Sequence, residues 1–165
     1  MFKNILVFNL SILFFVFAIC LSSDKNGKNV VQNEEFLSRA VGFHGHLGPY
    51  LVLGLKAGLF ANQVLGKEPM KTNAIIETRT KPPQSCFVDG VQFSTGCTLG
   101  KGNISLIEGE GLIVTFKKDN KMLALNLRKE IIEEINSLPS DEEAWENLAK
   151  DLYQREIEKI FEIIK

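Results

Sequence analysis

Residues Pro49 to Leu65, PYLVLGLKAGLFANQVL, are the stretch on which the reading of this chain turns. Proline suits the first position of a helix because its missing N–H has no partner to lose there, and Gly66 is a natural stop. Between them the residues are apolar nearly all round, with Lys56, Asn62 and Gln63 marking a narrow wet face. That pattern predicts a helix buried on most of its sides. Gly54 and Gly58, four apart, would let another backbone approach closely, at a propensity cost of roughly 1 kcal/mol each relative to alanine.

Just upstream, Asn33 is placed to cap a short helix that ends at Gly42, with Glu34 and Glu35 in its first turn, where the helix dipole favours acids. Phe36, Leu37 and Ala40 would face the core. The loop that follows, FHGHLGPY from Phe43 to Tyr50, holds both histidines of the chain, His44 and His46. Lying at or just before a helix N-terminus, they point to a bound metal, an anionic ligand or both. The plainer reading is a structural, hydrogen-bonded histidine, but two of them separated by one residue favour a ligand pair.

Downstream, Asn73 to Thr80 has the β-branched residues and alternation of a strand that ends at Lys81-Pro82-Pro83, where the double proline forces a loop. Cys86 to Asn103, CFVDGVQFSTGCTLGKGN, then concentrates two cysteines, glycines and a lysine. Its first half, Cys86 to Phe93, fits a short helix. Gly96 to Lys101 falls short of a phosphate-binding P-loop, because three residues rather than four separate Gly96 from Gly100 and Gly102 stands where a Ser or Thr should coordinate magnesium. Lys101 is a candidate contact for a small anionic ligand or cofactor, set against an ordinary solvated turn lysine. Cys86 and Cys97 are candidate sulfur ligands; the competing reading is a disulfide between them.

Ile104–Ile107, Gly111–Phe116 and Met122–Leu127 read as short strands, the last two joined by a hairpin turn at Lys118–Lys121. Lys129 to Leu138 has helical spacing. Ser140 to Glu143 is a capping-box pattern, and Trp145, Leu148, Ala149, Leu152, Ile157, Ile160, Phe161 and Ile164 predict one final helix of about six turns. Trp145 reads as a core residue. The expected fold class is α+β, a single domain with helices packed on a mixed or antiparallel sheet.

A formal net charge of −1 leaves no basic surplus to meet phosphates, so nucleic-acid binding is set aside. Residues 1–22 read as an export segment, either a signal peptide or an N-terminal membrane anchor. Its apolar run from Ile5 to Ile19 is short for a spanning helix. Ile19 is too bulky for the residue before a lipidated Cys20. Residues 23–32 are a polar linker, and the domain proper runs from 33 to 165. The domain is thus expected outside the cytoplasm, touching the membrane only through its N-terminal segment. A monomer and an oligomer are both open.

The runs FHGHLGPYLVLGLKAG and CFVDGVQFSTGCTLGKGN together resemble the FmdE domain family, named after formylmethanofuran dehydrogenase, over about Asn33 to Arg128. The resemblance implies an α+β domain that binds a metal through some of His44, His46, Cys86 and Cys97. Thiolate and imidazole donors suit zinc or another divalent transition metal better than magnesium or calcium. Many members carry a cysteine where this chain has Gly48, and many end in a cysteine-rich zinc ribbon, whereas no cysteine follows Cys97 here. The function expected from the resemblance is a metal-binding protein accessory to one-carbon redox metabolism. The alternative is an exported module that binds a metal or small ligand without catalysis, and a third reading is a structural domain stapled by a Cys86–Cys97 disulfide. No reaction is assigned.

Overall fold

The computed structural model describes residues 33–164. The expected export segment and linker, at 1–22 and 23–32, lie outside the described residues. The first helix, α1, covers residues 33–44. It runs two residues past the stop expected at Gly42, because Gly45 is the residue that takes a positive φ (106°) while its N–H still bonds Val41 O at 2.7 Å. His44 therefore belongs to the last turn of a helix rather than to a loop. Phe36 and Leu37 are half-buried and Ala40 is fully buried.

Helix α2, Pro49–Leu65, has the expected bounds, entered from an extended Gly48 and closed by Gly66 at φ 81°. Its wet face is narrower than the sequence suggests. Lys56 is half-buried and donates to Tyr153 O at 2.9 Å, and Asn62 donates to Ser94 O at 2.9 Å, so of the three polar residues only Gln63 is simply exposed. β1 (Asn73–Thr78) is followed by α3 (Cys86–Thr95), a short 3₁₀ turn (Leu99–Lys101) and β2 (Ile104–Glu108). β2 pairs parallel to β1, so this part is a strand–helix–strand crossover.

β3 (Leu112–Lys118) and β4 (Lys121–Leu127) form the expected hairpin, turned through Asp119 at φ 50°. α4 (Lys129–Asn136), α5 (Glu142–Gln154), α6 (Ile157–Ile160) and β5 (Phe161–Ile164) complete the order. The sheet is mixed, β2-β1-β3-β4-β5, with every pair antiparallel except β1 and β2. Alternate residues Ala74, Ile76 and Thr78 of β1 and Leu112, Val114, Phe116 and Lys118 of β3 are buried, as the period-two reading requires. From Ala40 onward the chain gathers into one compact unit, and the fold is α+β.

The C-terminal segment departs from expectation. The single helix predicted from Ser140 to Ile164 stops at Gln154, where Arg155 turns extended (φ −64°, ψ 148°). The apolar residues beyond it instead form α6 and an edge strand, in which Phe161 pairs with Leu127 and Ile164 with Ala124. Satisfying the open edge of β4 outweighs the helical periodicity of the segment. The Arg155 guanidinium meets both oxygens of Glu134 at 2.7 and 2.6 Å and holds the turn in place. The cap of α5 is Asp141, which accepts from Ala144 N at 3.1 Å, not Ser140. Trp145 is half-buried rather than core, its indole N–H donating to Pro139 O.

Helices α2 and α3 touch backbone to backbone. A Cβ on Gly90 would lie 2.2 Å from Leu51 O and 2.6 Å from Leu55 N; one on Gly54 would lie 2.1 Å from Phe87 O. One on Gly58 would lie 1.9 Å from Ser94 Oγ, a buried hydroxyl already bonded to Gly90 O. Gly54 and Gly58 thus have the close-approach role read from their spacing, and Gly90 supplies the matching surface. At the far end of α2, buried Lys118 donates to Leu65 O (2.8 Å) and Gly66 O (3.2 Å) and pairs with Glu68 at 2.5 Å. A lysine from β3 so satisfies helix carbonyls that have no intrahelical partner.

Two outcomes follow from this packing. Gly90→Ala is expected to lower stability by about 2–3 kcal/mol, because the obstructing atoms are backbone and cannot swing aside, while Gly100→Ala, with nothing within 4 Å of its added Cβ, is expected to be near neutral in the same chemical denaturation series. Equal midpoints for the two would remove the close-packing claim. Glu68 is held down at about 2, first by its hydrogen bonds to Lys118 and Lys71, against an ordinary 4.5. Its folded value is depressed, so its contribution is present above pH 4.5 and lost as pH falls through about 2. Thermal melts of Glu68→Gln should therefore fall below the parent at pH 6 and converge on it as the pH is lowered to 2; an unchanged difference across that window would refute the linkage.

Candidate functional site

The last turn of α1 and the first turn of α3 meet. His44 Nδ1 lies 2.7 Å from Asp89 Oδ2, across 45 positions of sequence. The histidine side chain is only 7% exposed and the carboxylate 38%. A carboxylate accepts and cannot donate when ionised, so the contact puts the proton on Nδ1 and leaves the lone pair of the neutral ring on Nε2. That Nε2 is buried and has no hydrogen-bond partner. A buried polar atom left unpaired costs about 1–3 kcal/mol, and such atoms in native folds call for an explanation.

Three contacts hold the pair. Gln92 Nε2 reaches Asp89 Oδ1 at 3.5 Å, steadying the other carboxylate oxygen. Phe43 and Phe93, with ring centroids 5.9 Å apart, join the flanks of the two helices. The buried junction of α2 with α3 sets the height of Asp89 along the stack. His46 is exposed, with its ring 4.6 Å from that of His44. Its Nε2 lies beside Gly48, where a Cβ would stand 3.2 Å away. The Gly48 position is therefore next to an imidazole nitrogen.

Cys86 begins α3, three residues before Asp89, which places both on one face of the helix. It is a half-buried free thiol, pushed up by burial and then by the negative charge of Asp89. Cys97 lies past the opposite end of α3. At 1.5 Å per residue, the helix alone separates the two cysteines by roughly 14 Å, well beyond the reach of a disulfide. Both are free, which corrects the disulfide reading. Cys97 is fully buried, its thiol against Thr72 O at 3.3 Å and pushed up mainly by that burial.

Lys101 is exposed and closes its own turn, donating to Gly96 O at 2.8 Å and Thr98 Oγ1 at 3.2 Å. Asn103 does the structural work of this stretch: Oδ1 accepts from Thr98 N, and Nδ2 donates to Pro69 O and Thr72 O, all within 2.9 Å. The structure thus brings together His44 and His46 at one end of α3, where Cys86 also lies, and leaves Cys97 and Lys101 at the other. Among the described residues no group of three or more His, Cys, Asp and Glu side chains is arranged to hold a metal ion. Asp89 is the site residue that sequence reasoning missed; its signal was the three-residue spacing from Cys86.

A probable S-adenosyl-L-methionine-binding protein of Archaeoglobus fulgidus is 31% identical over 124 residues, covering 73% of this chain and 33% of that protein. The chain therefore spans about a third of the length of this relative. The family model FmdE, described as molybdenum formylmethanofuran dehydrogenase operon, matches residues 43–164. That match includes both the histidine stretch and the cysteine stretch, and it continues past Arg128 through α4, α5 and β5. The chain belongs to the FmdE family.

Proposed function

We propose that this FmdE-family chain is a metal-binding protein whose divalent transition metal, zinc foremost, is taken at the His44 end of α3. The observation that carries the reading is the buried Nε2 of His44, unpartnered while Asp89 holds Nδ1. A carboxylate behind a ligating imidazole is the arrangement that fixes the tautomer and orients the ring toward a metal. His46 offers a second nitrogen beside it, and Cys86 a sulfur on the face of α3 that carries Asp89. The two imidazole donors would leave coordination positions to water or a ligand, and a metal held so would supply Lewis-acid chemistry.

The family description and the resemblance support a role accessory to one-carbon redox metabolism. Read from residues 1–22, the domain would work outside the cytoplasm, exported or membrane-anchored. The alternative is the same site in an exported binding module without catalysis. S-adenosyl-L-methionine binding, for which the archaeal relative is named, belongs to a protein more than twice as long, of which the match covers 33%, and is not extended to this chain.

Titration of chelator-stripped protein with Co²⁺, read by visible absorption, tests the reading. One equivalent is expected. Asp89→Asn should weaken binding about 10–100-fold, His44→Ala should weaken it at least as much, and Cys97→Ser should leave it unchanged. Full-affinity binding in His44→Ala, or dependence on Cys97, would overturn the assignment.

A further inference from the structure

A second feature stands apart from the histidines. At one end of the sheet, where β1 ends and β3 begins, a cavity of about 300 Å³ opens beneath α4. That is the lower end of the range for small-molecule sites. Its inner wall is apolar: Leu112 and Leu127 are almost fully buried, Ile132 of α4 lies opposite, and Tyr50 is 3% exposed. Its rim carries Arg79, Lys129 and Glu110.

We propose that this cavity is a binding site for a small organic monocarboxylate, its apolar body against Leu112, Leu127 and Ile132 and its carboxylate at Arg79 and Lys129.

Charge and geometry choose this ligand class. Of the charged side chains that line the cavity two are cations, Arg79 and Lys129, and one is a carboxylate, Glu110, so a bound monoanion would balance the lining; Glu133, outside it, pairs with Lys129 on the surface. Neither cation is tightly committed. Arg79 meets Glu110 at 3.7 Å with both side chains well exposed, and Lys129 meets Glu133 at 3.6 Å on the surface of α4. Exposed pairs at such distances contribute little, whereas a guanidinium gives a carboxylate two parallel hydrogen bonds. Burial pushes the Tyr50 hydroxyl up, and Gln84 and then the positive charge of Arg79, both in the same lining, act against that rise. That hydroxyl and the amides of Gln84 and Asn136 give the wall polar groups for a ligand substituent. The inference is independent of the metal reading, although Tyr50 and Gln84 each stand two residues from Gly48 and Cys86 of the histidine site.

The test uses benzoate as probe and benzamide as its uncharged twin, followed by methyl NMR of the full chain. Benzoate should shift the Leu112, Leu127 and Ile132 methyls saturably, with benzamide at least tenfold weaker. Arg79→Gln, a change at an exposed side chain, should weaken benzoate at least tenfold and erase its preference over benzamide. Ile132→Trp should fill the cavity and abolish the shifts while Co²⁺ stoichiometry stays at one. Absence of saturable shifts at millimolar benzoate, equal binding of benzamide, or an Arg79→Gln variant that binds benzoate as the parent does would each overturn the proposal. Loss of Co²⁺ binding with benzoate binding intact would overturn the metal reading alone.

Discussion

Direct backbone contact between α2 and α3 is the constraint on which the rest depends. Helices normally keep 8–10 Å between axes because side chains intervene; here Gly54, Gly58 and Gly90 remove them, and carbonyls of Leu51 and Phe87 occupy the space a Cβ would need. The glycines cost helix propensity, which the burial of α2 offsets. What the contact provides is register. With α3 unable to slide or rotate against α2, its first turn is fixed relative to the Gly48–Pro49 junction, and the Asp89 carboxylate arrives at His44 Nδ1 within hydrogen-bond distance.

The sheet serves the same end from the other side. Lys118 reaches from β3 to the last carbonyls of α2, with Glu68 balancing its charge, so the helix is held at its C-terminus by the strand it packs over. α3 is tied in sequence to β1 and β2, whose parallel pairing demands a crossover element between them. Asn103 then joins the start of β2 to the Thr72 and Pro69 carbonyls ahead of β1. The glycine-rich stretch after Cys97 is thereby a fastening of the fold, and the His44–Asp89 contact lies at the opposite end of α3.

Much of this was legible in the sequence, and the failures have physical causes. The bounds of α2, the hairpin and the α+β class follow from local signals: proline and glycine at the ends, alternation within strands. The strand at Phe161 was hidden because Ile157, Ile160, Phe161 and Ile164 also satisfy a helical period, and only the unpaired edge of β4, distant in sequence, decides between the two. Cys97 and Lys101 have the residue types of a site, yet one is sealed in the core and the other spent on its own loop. Asp89 was in plain view beside Cys86, but nothing local reveals that a histidine 45 positions away will meet it.

The central claim is that the fold holds His44 by Nδ1 and keeps Nε2 as a buried lone pair. Long-range ¹⁵N–¹H correlation of the imidazole rings in chelator-stripped protein at neutral pH measures this directly. The account predicts that His44 carries its proton on Nδ1 with an unprotonated Nε2, and that Asp89→Asn alters this pattern while His46 is little changed. A His44 ring protonated on Nε2 alone would contradict it.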